Sequence, residues 1–254
     1  MRAHSMGKLE GKVALVTGSG RNIGRATLLK LASEGANVVV NTRENRAEAE
    51  SVAAEARALG VKALPVLADV SNKEQVDSMV NMAMTQFGKI DILINAAAIR
   101  PHKPFTELTL GDWEQVLGVV LDGAFYCTSA VIHSMVKNRY GRILYFTGNN
   151  AMTGAPQQAH VSAAKMGLVG MARSLAAEFA THNIRVNVVS PGNVDTSRDL
   201  SWYPGRNMAD TSKIPLGRLG TVDEIAAACL FLVSDDCGFI TGHTLHVNGG
   251  AAFF

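Results

Sequence analysis

The chain has 254 residues, 47% of them hydrophobic and 24 of them glycine, enough for one large α/β domain with a buried sheet and tight turns. Its net charge of +2, with basic residues spread along the length, excludes the concentrated positive surface that nucleic acid demands. Cys127, Cys229 and Cys237 are odd in number and lack paired spacing, and the seven histidines are scattered, so a reduced, cytoplasmic setting without a metal centre is expected.

No uninterrupted apolar run reaches the ~18 residues of a membrane span, so no membrane association is expected. Residues 1–10 lack the apolar core of a signal peptide and read as a disordered extension, with 11–254 a single domain. From there, short β-branched runs alternate with helical patterns. Strands are predicted at Lys12–Thr17, Asn37–Asn41, Val61–Ala68, Ile90–Asn95, Arg142–Phe146, Ile184–Ser190 and Thr244–Val247. Most are apolar on both faces, as strands covered by helices on both sides must be. Helices are predicted between them at Asn22–Glu34, Glu44–Leu59, Asn72–Phe87, Thr109–Lys137, Pro156–His182 and Val222–Ser234. Ser71 or Asn72 and Thr221 are suited to capping two of them. Strict alternation predicts a single-domain Rossmann fold, a doubly wound seven-stranded parallel sheet with helices on both faces. Residues 193–220, with Trp202, Tyr203 and Pro204 in the middle, form a long irregular stretch at the carboxyl edge of the sheet, the place of a substrate lid.

The first strand runs into Gly18-Ser19-Gly20-Arg21-Asn22-Ile23-Gly24 and then a helix. Glycines there let the backbone approach a pyrophosphate, while a helix N-terminus offers free amides and the positive end of its dipole. The second strand ends at Thr42-Arg43, roughly 20 residues beyond the last loop glycine, where a carboxylate would grip a ribose hydroxyl. With Arg43 and Arg21 near that corner and no acid at that position, NADP(H) is preferred over NAD(H), which remains possible. Asp69-Val70, Asn95-Ala96-Ala97 and Pro191-Gly192-Asn193-Val194-Asp195-Thr196 follow the third, fourth and sixth strands, where this architecture places ligands. Pro191, Gly192, Val194 and Thr196 are the cofactor candidates in the last of these.

With these motifs in place, the chain resembles the short-chain dehydrogenase/reductase family, and more narrowly its acyl-carrier-protein-reductase-like branch, over Gly11 to Gly250. Thr17-Gly18-x-x-x-Asn22-Ile23-Gly24 is similar to that family's TGxxxGxG loop with Asn22 for the middle glycine. Asn95-Ala96-Ala97-Ala98 is similar to NNAG, and Ile240-Thr241-Gly242 and Val247-Asn248-Gly249-Gly250 to its closing elements. The resemblance implies a catalytic asparagine, serine, tyrosine and lysine. Their positions fall on Val120, Gly148, Val161 and Lys165, so only the lysine remains. In the family the tyrosine is the proton donor, the lysine lowers its pKa and holds the nicotinamide ribose, and the serine binds the substrate oxygen.

A substitute donor is therefore sought. His160 is adjacent to the vacant position and titrates near neutrality, but neighbouring helical residues diverge by about 100°. It serves only if it precedes the first regular turn; otherwise it faces solvent or a subunit neighbour. Thr147 and Tyr145 should point away, Asn149 and Asn150 suit a turn, and Tyr203 and His102 lie on loops. Three functions stay open: an NADP(H)-dependent oxidoreductase on a small carbonyl or alcohol with a borrowed acid, a non-catalytic NADP(H)-binding protein, and a non-redox enzyme using the same pocket. The long apolar helices suggest a twofold mate, and the resemblance implies a homodimer or homotetramer. The tail Ala251–Phe254 suits an interface.

Overall fold

The computed structural model describes residues 7–197 and 210–253. Seven strands form one sheet: β1 (Val13–Thr17), β2 (Asn37–Thr42), β3 (Ala63–Leu67), β4 (Ile92–Asn95), β5 (Gly141–Phe146), β6 (Ile184–Pro191) and β7 (Thr244–Val247). Every pairing is parallel, in the order β3-β2-β1-β4-β5-β6-β7. Alternate residues of single strands supply two separate cores. Leu15 and Tyr145 pack under α3 (Lys73–Phe87), α5 (Gly123–Asn138) and α7 (Ala159–Phe179), while Val16 and Phe146 pack under α1 (Asn22–Ser33), α2 (Arg46–Ala58) and α8 (Val222–Val233). This two-sided burial is why the strands read as continuous apolar runs, and it bears out the doubly wound fold.

Several ends differ from the sequence expectation. Gly7–Glu10 are not disordered: they form a turn in which Leu9 is buried, and the Leu9 amide donates to Glu34 O at 2.9 Å. β3 starts only at Ala63, after Gly60 at φ 93°. α2 begins after Asn45, whose side chain accepts from the Glu48 amide. Asn72 and Thr221 cap α3 and α8, the latter in a reciprocal capping box with Glu224.

The predicted helix Thr109–Lys137 is divided into α4 (Leu110–Leu117), a π-helical turn (Gly118–Asp122) and α5. Gly123 allows the close approach beyond that turn, since a Cβ there would stand 2.9 Å from Val70 Cγ2 and 3.0 Å from Val70 O. The span Leu110–Asn138 is apolar and long enough to cross a bilayer, but Val116, Val120, Cys127 and Met135 on it are core residues against the sheet. The expected helix Pro156–His182 starts later, at Ala159, because Gln157 takes φ 65°; a short α6 (Asn149–Thr153) precedes it.

Candidate active site

The sheet order reverses between β1 and β4, and the carboxyl ends of these two strands open the crevice where doubly wound folds bind ligands. Gly18 follows β1 at φ 61°, and a Cβ there would lie 2.8 Å from Ala97 Cα. At Gly24 a Cβ would meet Gly18 O at 2.3 Å. The loop is closed so tightly that only glycine fits both positions. Above it, α1 follows Arg21, which makes no side-chain cap, and carries no acid in its first turn. Uncapped amides at a positive dipole end suit a diphosphate, so the chain's own geometry fits a dinucleotide.

Asn22 stands at φ 52°, the left-handed conformation glycine usually supplies and asparagine tolerates. Its side chain also clasps the start of the 197–210 segment: Nδ2 donates to Ser197 O at 2.8 Å, and Oδ1 accepts from Ser197 N at 3.1 Å and Oγ at 3.0 Å. We expect Asn22→Ala to lower stability by about 1–2 kcal/mol in urea unfolding, while Asn22→Gly, free of the backbone penalty, loses less. Equal losses in the two variants would show that the left-handed backbone is not what Asn22 is needed for.

At the far corner, a Cβ on Gly20 would meet Thr42 Cγ2 at 2.6 Å and Glu48 Oε2 at 2.8 Å. Arg43 is exposed and pairs with Glu44 at 2.7 Å, and Arg21 is exposed. The carboxylate of Glu48 at this corner was missed in the sequence because it sits within α2 rather than at the end of β2. The pattern Asn45-x-x-Glu48 was the signal that could have found it.

The other cofactor candidates divide. Both polar side-chain atoms of Asn95 are buried with no partner among the described residues, as befits groups that meet a ligand or ordered water. The amides of Ala96 and Ala97 both donate to Thr17 Oγ1 at 3.1 Å, so these residues offer surface rather than free donors. Asp69 accepts from Ser71 N at 2.9 Å and Oγ at 2.6 Å, holding the turn before α3, and Val70 is buried against Gly123. Gly192 passes so near Asn248 that a Cβ would stand 2.8 Å from its Cα. Val194 bridges to Gly220, and Thr196 Oγ1 reaches Val194 O at 3.5 Å. Ser19 is buried, its hydroxyl accepting from the Asn41 amide at 3.0 Å, and Ile23 packs on the α1 core. Trp202, Tyr203 and Pro204 lie outside the described residues, and with them the middle of the expected lid, residues 198–209.

Across the crevice, Lys165 Nζ donates to Phe146 O at 2.7 Å. Burial, and secondly the like charge of Arg100, push this lysine down to about 7. Val161, one turn earlier on α7, and Val120, on the π-helical turn, are both buried in the same core. Gly148 is extended at φ 173°, and the nearest atom to a Cβ there is Pro191 O at 3.7 Å.

His160 does not precede the first regular turn, nor does it face solvent: it is the second residue of α7, fully buried, with neither ring nitrogen hydrogen-bonded among the described residues. Burial lowers its pKa, and the charges acting on it are Asp112 and Lys103, which pair with each other at 2.6 Å. Tyr145 is turned into the core, its hydroxyl 2.7 Å from Thr128 Oγ1. Thr147 Oγ1 is buried and unpartnered. Asn149 Oδ1 accepts from Asn248 at 3.3 Å, and Asn150 donates to Gln158, which also contacts His102.

Comparison with known proteins fits this geometry. The family described as enoyl-(acyl carrier protein) reductase matches residues 18–252. A 3-oxoacyl-acyl-carrier-protein reductase of Synechocystis is 39% identical over 98% of this chain and 100% of its own. The chain belongs to the short-chain dehydrogenase/reductase family. A hydroxy(phenyl)methylsuccinyl-CoA dehydrogenase subunit of Thauera aromatica is 40% identical over 97% of this chain and 98% of its own. A crystal structure from Sinorhizobium meliloti, assigned as a short-chain alcohol dehydrogenase, superposes with a TM-score of 0.91 at 33% identity, covering 96% and 97% of the two chains. These short-chain dehydrogenase/reductase relatives carry different substrate names, so what they share is the fold and the oxidoreductase class.

Proposed function

We propose that this protein binds NADP(H) and interconverts a small-molecule carbonyl and its alcohol, without the asparagine, serine and tyrosine that the family resemblance implies. Val120, Gly148 and Val161 stand at those three positions. The observation that carries the proposal is the pairing of a glycine cradle under the uncapped end of α1 with a buried Lys165 across the same crevice. The cradle would hold the diphosphate, and Lys165 would hold the ribose of the bound cofactor. When bound, the cofactor supplies or accepts hydride; the protein positions the substrate and moves the proton.

NADP(H) is favoured over NAD(H) by Arg21 and Arg43, and Glu48 opposes them. An arginine fork can grip a 2′-phosphate that a carboxylate repels. Calorimetric titration of both cofactors tests the preference. Replacing Arg21 and Arg43 together by alanine should weaken NADPH binding by about tenfold or more and leave NADH nearly unchanged. Equal losses for both cofactors would contradict a 2′-phosphate site.

A second function is favoured by the simultaneous loss of three polar groups with the binding residues spared: a non-catalytic, nucleotide-holding member of an assembly. One relative is itself described as a subunit. Micromolar NADPH binding without turnover over a carbonyl panel selects this second function. In either case we propose a cytoplasmic homodimer or homotetramer, in which Phe125, Met166 and Phe253, at 54%, 38% and 85% exposure, are covered.

A further inference from the structure

We propose that Lys165 itself delivers the proton to the substrate oxygen, across the space beside Gly148 and Val161. The inference rests on the oxidoreductase function proposed above and names the acid that function needs.

Geometry comes first. Val161 and Lys165 are one turn apart on α7 and share a face. The valine has no proton to give. Gly148 adds no side chain at the end of β5, and the position a Cβ would take has only Pro191 O within 4 Å, at 3.7 Å. An ammonium has three N–H donors, and among the described residues Lys165 spends one, on Phe146 O. The remaining two have no acceptor among the described residues, and Val161, Leu168 and Val169, within one turn of Lys165 on α7, are apolar core residues.

Competing donors are placed elsewhere. His160 is fully buried on the preceding α7 position, with the Asp112–Lys103 pair as its charged surroundings. The Tyr145 hydroxyl is committed to Thr128, and burial makes it a weaker acid still. The amides of Asn149 and Asn150 and the hydroxyl of Thr147 are not acids near neutral pH.

Charge then favours the lysine. The charged group acting on it is Arg100, from the loop after β4. Among the described residues no carboxylate of α4, α5, β5 or β6 acts on it. An ordinary lysine, near 10.5, is too weak an acid to serve; one held near 7 matches the task.

A bound dihydronicotinamide would supply hydride to the carbonyl carbon. The C=O π pair moves onto oxygen, and one N–H bond of the Lys165 ammonium breaks as the new O–H forms. The lysine is left as a neutral amine and regains its proton from solvent. In the oxidative direction the neutral amine takes the hydroxyl proton.

Two measurements test this. With the ε-carbons of lysine labelled with carbon-13, one resonance should titrate near pH 7, far from the other lysines, and vanish in Lys165→Met. Single-turnover NADPH oxidation with a carbonyl panel should fall as pH rises through that midpoint. It should drop at least about 100-fold in Lys165→Arg, whose guanidinium keeps its donors but does not release a proton. NADPH affinity, read by calorimetry, should change much less in that variant. Should Lys165→Arg not fold, Lys165→Met gives the same rate comparison at saturating cofactor. A Lys165 resonance titrating near 10, or reduction undiminished in both variants, overturns the lysine's role while leaving the oxidoreductase function standing. Failure of the unsubstituted protein to bind NADPH overturns that function instead. Binding without any turnover overturns the donor role and selects the non-catalytic function.

Discussion

Val161→Tyr combined with Gly148→Ser is expected to raise carbonyl reduction by about 10²–10³-fold, the usual worth of an added donor to the substrate oxygen, with the phenol taking over the proton delivery from Lys165. The backbone is ready for both side chains. Gly148 is extended at φ 173°, a conformation any residue adopts, and a Cβ there meets nothing nearer than Pro191 O at 3.7 Å. Position 161 is one turn before Lys165, so a phenol there projects along the lysine's own face. A lysine near 7 is partly charged at neutral pH, and a nearby positive charge lowers a phenol's pKa. The two substitutions should act together rather than additively, because donor and oxygen-binding hydroxyl serve one transition state. Steady-state NADPH consumption over a carbonyl panel measures the gain. A double variant that folds and binds NADPH yet reduces no faster would show that the pocket differs by more than these two side chains.

Lys165 is also expected to leave a signature on stability. Its folded pKa is lowered from 10.5 to about 7, so between these values the unfolded chain binds more protons than the folded one. Stability therefore rises with pH across that window, and the burial penalty is fully present below about 7. Between pH 6 and pH 9 the contribution is about 2–3 kcal/mol, from the shift and the linkage relation. Urea unfolding without cofactor should show the wild type gaining this much relative to Lys165→Met as pH rises. Lys165→Met should be the more stable protein at pH 6. Parallel pH profiles for the two proteins would mean that Lys165 is solvated, and the lysine would lose its standing as an acid near neutrality.

The architecture was legible because its causes are local. Seven strands buried on both faces announce themselves as apolar runs, and Asn72 and Thr221 mark helix starts by their capping chemistry. The cradle was legible for the same reason, since its glycines follow β1 and precede α1 directly. What escaped depends on residues distant in the chain. The turn at Gly7–Glu10 exists because Leu9 finds a buried place and Glu34 an amide partner. The π-helical turn at Val120 leads into the close approach of Gly123 to Val70, far from it in the chain. The burial of His160 follows from packing that its own neighbours in sequence do not reveal. Glu48 at the cofactor corner and the Asn22–Ser197 clasp are likewise products of tertiary approach.

A crystal structure with NADP⁺ and an alcohol product bound tests the account most directly, by showing which protic group meets the substrate oxygen. The account predicts that oxygen within about 3.2 Å of Lys165 Nζ, in the space beside Gly148 and Val161. A different ionisable side chain at that distance, with Lys165 still turned to Phe146 O and out of reach, would contradict it.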